Sequence, residues 1–385
     1  MSQHGLNRIA TFEMSSEGCS IHTLELSYRC TERTWKRMKD TLYTEQTQRD
    51  KDEDVWIYKE RHGLHICTKY SRHGVTIQLE HNTNDNEYET FFVRMIVNPR
   101  KLLDPESSYL GILEPRKNSA QKVRKAFRKL FENTCFDEEI DTYHLRRVDL
   151  CTNVHCDNAK IFGELIRAAQ KLPTPPKYSR KWHCGKDKQK TKLYNKHYIR
   201  YVCGTHELVL YDKTYQMKEN KLLLSYEKLP EGVLRYEMRL ERDYIRRIQK
   251  NSGIENTTEL LEFFIENSAE FLVATFNYCF PVGIFLRLGE LENYIQAHVN
   301  REETRRRMLA LVEKLQHGPN TDEALTELEK EGLSTDGLLK HFYNLGISPV
   351  PLRKNFSAVS IPNPTKLLLD LMKGEPVKIR YIRSK

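Results

Sequence analysis

The stretch VLRYEMRLER, residues 233–242, alternates polar and apolar side chains with a period of two. This alternation is typical of a β-strand that has one face in an apolar core and the other face polar. It places Arg235, Glu237, Arg239 and Glu241 together on one face. Charged residues recurring inside an otherwise apolar strand indicate either salt bridges on the outer face of a sheet or a site that carries chemistry.

Two further stretches have the same period, and they widen the candidate site. Alternation puts three side chains of each stretch on one face: Arg147, Asp149 and Cys151 in LRRVDLC, and Val209, Tyr211 and Lys213 in LVLYDKTY. A carboxylate on each of two strands, with a tyrosine and a lysine on a third, can make a phosphoryl-transfer site. Carboxylates bind a hard divalent cation, the cation polarises a phosphate oxygen, and a tyrosine can attack phosphorus. The alternative is that these residues form salt bridges on the outer face of an antiparallel sheet.

The arrangement of predicted elements indicates an α+β fold. Over the first 250 residues, strand-like and helix-like patterns are intermixed instead of alternating strictly, which favours an antiparallel sheet with flanking helices. After about Asp243 the pattern becomes mainly helical, over 255–318 and 320–345. We therefore expect an antiparallel-sheet domain over residues 1–250 and a helical C-terminal domain over residues 251–385.

Composition sets limits on the class of protein. The chain has 385 residues, and 62 Lys and Arg against 53 Asp and Glu give a net charge of +9. Its 39% of hydrophobic residues are enough for a core and argue against a disordered chain. The longest apolar stretch, residues 271–286, is interrupted and too short to span a bilayer. With no apolar leader at the N-terminus and nine irregularly spaced cysteines, we expect a soluble cytoplasmic protein with reduced thiols.

Positive charge is concentrated in residues 177–201, KYSRKWHCGKDKQKTKLYNKHYIRY. This segment has nine Lys and Arg against one acid, and aromatic residues are interleaved with them. Basic groups can follow a phosphate backbone while aromatic rings stack on unpaired bases. A solvated loop is the alternative. The predicted DNA-binding residues here are Lys177, Arg180, Lys181, Trp182, Lys186, Lys188, Lys190 and Lys192.

Two other basic stretches support a polyanionic partner. Residues 116–129 hold seven Lys and Arg and no acid, on a predicted amphipathic helix at Ser119–Asn133, and KIRYIRSK ends the chain. For the helix, a solvated face is the simpler interpretation.

The order of the three strand motifs resembles the Rep_trans-type replication initiation factors of plasmids and phages, a group that includes the gene-two initiators of filamentous phages. The matching motifs are Arg147–Asp149, Val209–Lys213 and Arg235–Arg239, with a weaker match at Val97–Leu103. The resemblance covers roughly Ile21–Ile248.

This resemblance implies initiation of rolling-circle replication. Such an enzyme nicks one DNA strand at an origin, its tyrosine becomes bonded to the 5′ phosphate, and the released 3′-OH primes synthesis. The phosphotyrosine bond keeps the energy of the broken linkage, so the reverse reaction rejoins the displaced strand without ATP. The implied partners are origin DNA, single-stranded or in a hairpin, a host helicase and polymerase, and a second copy of the chain in a homodimer. No membrane is involved.

Roles are carried over by position. The resemblance implies that Tyr211 is the nucleophile and that Lys213 would stabilise charge on the phosphate or lower the pKa of the tyrosine. Asp149 and Glu237 would hold Mg²⁺ or Mn²⁺. Arg235 and Arg239 would contact the DNA phosphates or act as structural partners.

The sequence also departs from the family pattern. Plasmid members often carry a second Asp shortly after the first, where this chain has Asn153 and His155, and the third metal ligand therefore stays open. Other tyrosines are alternative candidates for the nucleophile. Tyr215 ranks next after Tyr211, and it is followed by Tyr194, Tyr198 and Tyr201. A relaxase acting at a transfer origin and a non-catalytic DNA-binding protein are the alternative functions.

Overall fold

The computed structural model describes residues 7–47, 58–61, 64–83, 89–182, 184, 188–220, 232–318 and 320–382. The strands within these ranges are β1 Asn7–Met14, β2 Ser20–Cys30, β3 Tyr58–Arg61, β4 Leu64–Cys67, β5 Val75–Thr83, β6 Glu89–Val97, β7 His144–Cys156, β8 Ser179–Arg180, β9 Tyr198–Cys203, β10 His206–Asp212, β11 Val233–Glu241, β12 Ile284–Leu286, β13 Ser360–Pro362 and β14 Val377–Ile382.

The helices are shared between the two halves of the chain. They are α1 Glu32–Thr47, α2 Pro99–Leu103, α3 Ser119–Phe131, α4 Ala159–Gln170, α5 Lys188–Asn195, α6 Lys213–Glu219, α7 Arg242–Ser252, α8 Thr257–Cys279, α9 Leu288–His298, α10 Glu302–His317, α11 Thr321–Lys330, α12 Leu338–Asn344 and α13 Pro364–Leu371.

Twelve strands form one antiparallel sheet. Ten follow the order β3–β4–β5–β6–β2–β7–β11–β10–β9–β8, while β1 pairs with the end of β7 and with β14. The strands β12 and β13 make a separate pair. The predicted α+β fold, with an antiparallel sheet and a helical C-terminal region, is confirmed. None of the described helices is both long and apolar enough to cross a membrane.

The core lies between the sheet and α8, which contacts β2, β7 and β11. Every second residue of β11 points into this core, and Tyr236, Met238 and Leu240 are buried there. The Tyr236 ring lies 4.8 Å from that of Phe276 on α8, centroid to centroid. Because side chains alternate along a strand, the polar residues of β11 occupy the opposite face.

Two features differ from the sequence-based expectation. The strands β1 and β14 were not predicted, and they pair from Asn7–Ile382 to Phe12–Val377. The strand β10 ends at Asp212, so Lys213 is not on its face but opens α6. The Asp212 side chain accepts from the backbone N–H of Tyr215 at 2.9 Å and caps the helix. That cap is the physical reason why the strand stops one residue earlier than alternation predicts.

The two halves of the chain share contacts across the predicted boundary at residue 250. The helix α8 packs on the sheet, and β14 extends it through β1. The division into domains at this position stays a prediction.

Candidate active site

Residues paired across an antiparallel ladder point to the same side of the sheet, and this orders the predicted site in rows. One row runs through Asn153 on β7, Arg235 on β11, Tyr211 on β10 and Tyr198 on β9. The next row contains Ser20, Cys151, Glu237 and Val209, and the one after it contains Thr23, Asp149, Arg239 and Glu207. The pairing therefore brings the tyrosine, both carboxylates and both arginines of the three motifs onto one face.

Tyr211 and Glu237 form the centre of this face. The Tyr211 hydroxyl donates to Glu237 Oε2 at 2.9 Å, and the two residues are 3% and 2% exposed. Burial, and then the charge of Glu237, raise the pKa of Tyr211 well above its usual range. Burial alone would also raise the pKa of Glu237. The charges of Arg239 and Arg235 outweigh burial and hold that pKa well below its usual value. The carboxylate is therefore ionised and accepts the hydrogen bond of the phenol.

Asp149 lies in the row next to that of Glu237 and is bound by an arginine. Arg147 Nε and Nη2 donate to the two Asp149 oxygens at 2.7 Å each, a bidentate pair. Burial raises the pKa of Asp149, and the guanidinium of Arg147 opposes that rise.

The described residues do not fit a metal ion as they are arranged. Both oxygens of Asp149 accept from Arg147, and those of Glu237 accept from Tyr211 and Arg239. Within the described ranges, no group of three or more His, Cys, Asp or Glu side chains is placed to hold a metal. Asn153, at the position of the missing second Asp, accepts from Arg235 Nε at 2.8 Å through its Oδ1.

Lys213 reaches the site from the first turn of α6. Its side chain is buried, its Nζ donates to Gln216 Oε1 at 2.7 Å, and it lies 6.0 Å from the centre of the Tyr211 ring. Burial, followed by the charge of Arg235, lowers the pKa of Lys213 to about 7. The amine can therefore exchange a proton near neutral pH.

Arg235 anchors a loop over the end of the sheet. It is fully buried, and its Nη2 donates to the carbonyl oxygen of Leu110 at 2.6 Å. Asn153 Nδ2 donates to the same carbonyl at 2.8 Å. The third guanidinium nitrogen, Nη1, is buried without a hydrogen-bond partner in the described part of the chain.

His22 belongs to the site but was missed by sequence reasoning. The ladder between β2 and β7 has a bulge between Ile21 and Thr23, so His22 is an extra residue beside the Asp149 row. Its Nδ1 lies 2.8 Å from the Thr23 hydroxyl. Burial, followed by the charge of Arg235, lowers the pKa of His22 well below its usual value. The strand pattern IHTLELSY contains no signal for the bulge.

Ion pairs line the more exposed rim of the site. Arg239 also contacts Glu207, with Nη1 at 3.6 Å from Oε2, and Arg200 Nε donates to the same oxygen at 2.9 Å. The salt-bridge interpretation of this face is thus partly correct. Arg147 and Arg239 are only half-buried, at 28% and 22% side-chain exposure, and they are the cations through which a phosphate could approach.

The competing tyrosines occupy different surroundings. Tyr198 pairs with Tyr211 across the ladder, with ring centroids 6.0 Å apart. Tyr201 is buried and accepts from Arg180 Nη2 at 2.7 Å. The Tyr215 ring stacks on His197 at 4.1 Å. The side chain of Tyr194 lies outside the described residues.

The basic segment forms the nearby edge of the sheet. It contains β8, α5 and the start of β9, and β9 pairs with the strand of Tyr211. Arg180 is held in place, because it donates to the Gln170 and Leu172 carbonyls and lies 5.6 Å from the Trp182 ring centre. Lys186 and the side chain of Lys190 lie outside the described residues. The other predicted DNA-binding residues of the segment are exposed: Lys177, Lys181, Trp182, Lys188 and Lys192.

Comparison with known proteins agrees with the geometry. Residues 31–264 match the family model described as the N-terminal part of the phage replication-associated gene-two protein. No curated protein matches the chain. The match covers more than half of the chain and includes the three strand motifs and the basic segment, which confirms the predicted resemblance and indicates a role in initiating phage DNA replication. The chain belongs to the family of phage replication-associated proteins of the gene-two type.

Proposed function

We propose that this protein initiates rolling-circle replication by nicking one strand of origin DNA with Tyr211. The observation that carries the proposal is the hydrogen bond from the Tyr211 hydroxyl to Glu237, on a face lined with arginines, in a chain of a phage replication family. A tyrosine paired with an ionised carboxylate has both a nucleophilic oxygen and a group that can take its proton.

The proposed reaction is a single displacement at phosphorus. The Tyr211 oxygen attacks, the bond from phosphorus to the 3′ oxygen breaks, and the 5′ phosphate stays bonded to the tyrosine. The phenolic proton passes to Glu237, to which it is already hydrogen-bonded. The leaving 3′ oxygen takes up one proton, and Lys213 is suited to supply it because its pKa lies at about 7. The reverse sequence rejoins the strand.

Arginines at the rim are suited to the negative charge of the reacting phosphate. Arg239 and Arg147 flank the two carboxylates and are partly exposed. Preorganised cations stabilise a developing negative charge far more strongly in a site without water than in bulk water. The Tyr211 side chain is only 3% exposed, so DNA binding has to displace the side chains that cover it.

The steps above use residues of the chain alone. The described carboxylates do not form a set of ligands for Mg²⁺ or Mn²⁺ as they are arranged, so the steps above assign no role to either ion. A requirement for either ion stays a prediction based on the resemblance.

The basic segment is proposed to bind the single strand next to the site. Its exposed lysines can follow phosphates, and the Trp182 ring, 51% exposed, can stack on a base. The segment pairs with the strand of Tyr211 through the start of β9 and reaches the sheet edge at β8, so a single strand of DNA can contact both the segment and the site.

A non-catalytic DNA-binding role is the second candidate function. The burial of Tyr211 and the pairing of both carboxylates with arginines are also what a purely structural cluster would show. In that case the tyrosine would stabilise the sheet, and DNA would contact only the basic segment.

A nicking experiment separates the two candidates. The full chain is incubated with end-labelled single-stranded oligonucleotides of random sequence, which removes the need to know the origin. The proposal predicts shortened labelled strands with the parent protein and none with Tyr211→Phe. The Tyr215→Phe variant is the matched control and is expected to cleave. DNA binding without cleavage by the parent would favour the non-catalytic role.

A further inference from the structure

Three buried polar atoms next to the Tyr211–Glu237 pair lack hydrogen-bond partners. They are Ser20 Oγ, His22 Nε2 and Arg235 Nη1, and none makes a hydrogen bond of normal geometry in the described part of the chain, although His22 lies near the backbone of Tyr109 and Arg235 near the Tyr211 side chain. A buried polar group without a partner costs roughly 1–3 kcal/mol. Native proteins rarely leave such groups unsatisfied, so their clustering requires a physical explanation.

Strand pairing places these three groups together. Ser20 and Glu237 flank Cys151 from opposite sides in one row, and Arg235 occupies the adjacent row of the same face. The bulge directs His22 into the same region, where its imidazole experiences the charges of Arg235 and Glu237.

The groups share a donor character. If Nδ1 of His22 accepts from the Thr23 hydroxyl, 2.8 Å away, then Nε2 carries the hydrogen and is a donor. The guanidinium Nη1 of Arg235 can only donate, and the Ser20 hydroxyl can donate. Lys213 lies close enough for its charge to lower the pKa of His22. Against the single ionised carboxylate of Glu237, the three donors and the charges of Arg235 and Lys213 favour an anion over a cation here.

We propose that Ser20, His22 and Arg235 form a pocket that holds a non-bridging oxygen of a phosphate beside Tyr211. This inference rests on the proposed function, because it assigns the pocket to the phosphate that the tyrosine attacks. Ser20 and His22 lie outside the residues that match the phage replication family, 31–264. The pocket would supply the positive charge and the hydrogen bonds that the negatively charged phosphate requires in a dry site.

Inorganic phosphate is the probe that tests the pocket without DNA. The thermal midpoint of the full chain is measured against phosphate concentration, with sodium chloride adjusted to keep the ionic strength constant, and an apparent dissociation constant is obtained from the shift. The Lys188→Gln/Lys192→Gln variant is expected to keep that constant, which excludes binding at the basic segment.

Conservative substitutions then locate the site. His22→Gln and Ser20→Ala are each expected to weaken phosphate binding about tenfold, the loss of one hydrogen bond to a charged group. The control His144→Gln changes an exposed histidine at the start of β7 and is expected to leave the affinity unchanged. Arg235→Lys keeps the charge but loses the free N–H, and the affinity is expected to fall as well.

The outcomes separate this inference from the proposed function. The thermal shift needs neither DNA nor a nucleophile, so phosphate binding is measured separately from cleavage. No midpoint shift in the parent, or equal shifts in the parent, His22→Gln and Ser20→Ala, would overturn the pocket, whether or not the parent cleaves. Phosphate binding that depends on His22 and Ser20 in a protein that does not cleave DNA would support the pocket and contradict the nicking reaction.

Discussion

The Tyr211 hydroxyl and the Glu237 carboxylate are joined by a 2.9 Å hydrogen bond on the polar face of the sheet, and neither side chain is more than 3% exposed. They come from neighbouring strands and are not directly opposite, since Tyr211 pairs with Arg235 and Glu237 pairs with Val209. The diagonal contact is therefore set by the register between β10 and β11. A proton acceptor held at this distance from a phenol is the feature on which the proposed chemistry depends.

Replacing the acceptor should slow the reaction more than it affects binding. Glu237→Gln can still accept from Tyr211 but cannot take its proton, so the rate of covalent adduct formation is expected to fall by about 10²–10⁴-fold. The rate is measured on a denaturing gel under single-turnover conditions, and DNA affinity by anisotropy. The variant also leaves Arg239 without its 2.7 Å partner, and circular dichroism checks that the fold is kept. An unchanged rate would show that Glu237 is not the proton acceptor.

Removal of divalent ions tests the metal requirement that the family resemblance implies. Following that resemblance, EDTA is expected to abolish adduct formation, and Mn²⁺ or Mg²⁺ to restore it. Asp149→Ala and Glu237→Ala are expected to behave like the chelated parent at low metal concentration. Full activity of the parent in EDTA would contradict a metal requirement and leave the positive charge of the site to Arg147, Arg239 and Lys213.

The basic segment should bind DNA mainly through phosphates. About four contacts to a single strand predict a log–log salt dependence of the binding constant with a slope near −3, at roughly −0.7 per contact. The quadruple Gln variant of Lys186, Lys188, Lys190 and Lys192 is expected to bind more weakly and with a flatter slope. Measurement is by fluorescence anisotropy with a labelled oligonucleotide at several salt concentrations.

Two variants serve as controls for this prediction. Trp182→Ala removes a stacking ring and is expected to cost about 1–3 kcal/mol of binding free energy with the slope unchanged. Lys340→Gln with Lys354→Gln removes exposed charges from the C-terminal region and is expected to change neither quantity. If the quadruple variant keeps the parent affinity and slope, the segment is a solvated loop.

The buried amine of Lys213 predicts a pH dependence of stability. Its pKa is lowered from 10.5 to about 7 in the folded chain, so between these values the unfolded chain binds more protons. The free energy of unfolding should therefore rise with pH in this window, by at most about 1.4 kcal/mol per pH unit from this group. Urea unfolding of the parent and Lys213→Met between pH 7 and 10 should show a difference that grows with pH in favour of the parent. A constant difference would mean that Lys213 is charged in the folded state throughout.

The face that carries the site could be predicted because its strands are regular. Period-two alternation in β7, β10 and β11 correctly placed Asp149, Tyr211 and Glu237 on one side. The sequence could not show which arginine would bind which carboxylate, because that depends on the register between strands distant in the chain.

Other elements depend on interactions that no local pattern reveals. The pairing of β1 with β14 joins residues at opposite ends of the chain, and the bulge at His22 is defined only by its partner strand. The helix start at Lys213 follows from the Asp212 cap, which alternation in LVLYDKTY conceals. These are the places where tertiary context overrides the local preference.

Mass spectrometry of the adduct shows whether Tyr211 becomes bonded to DNA. After reaction with single-stranded DNA, the protein is digested with nuclease and trypsin, and the peptide of residues 201–213, YVCGTHELVLYDK, is fragmented. We expect a phosphate with its residual nucleotide on Tyr211 and an unmodified Tyr201 in the same peptide. A nucleotide on Tyr215, Tyr198 or any other tyrosine, or a Tyr211→Phe variant that still forms the adduct, would contradict it.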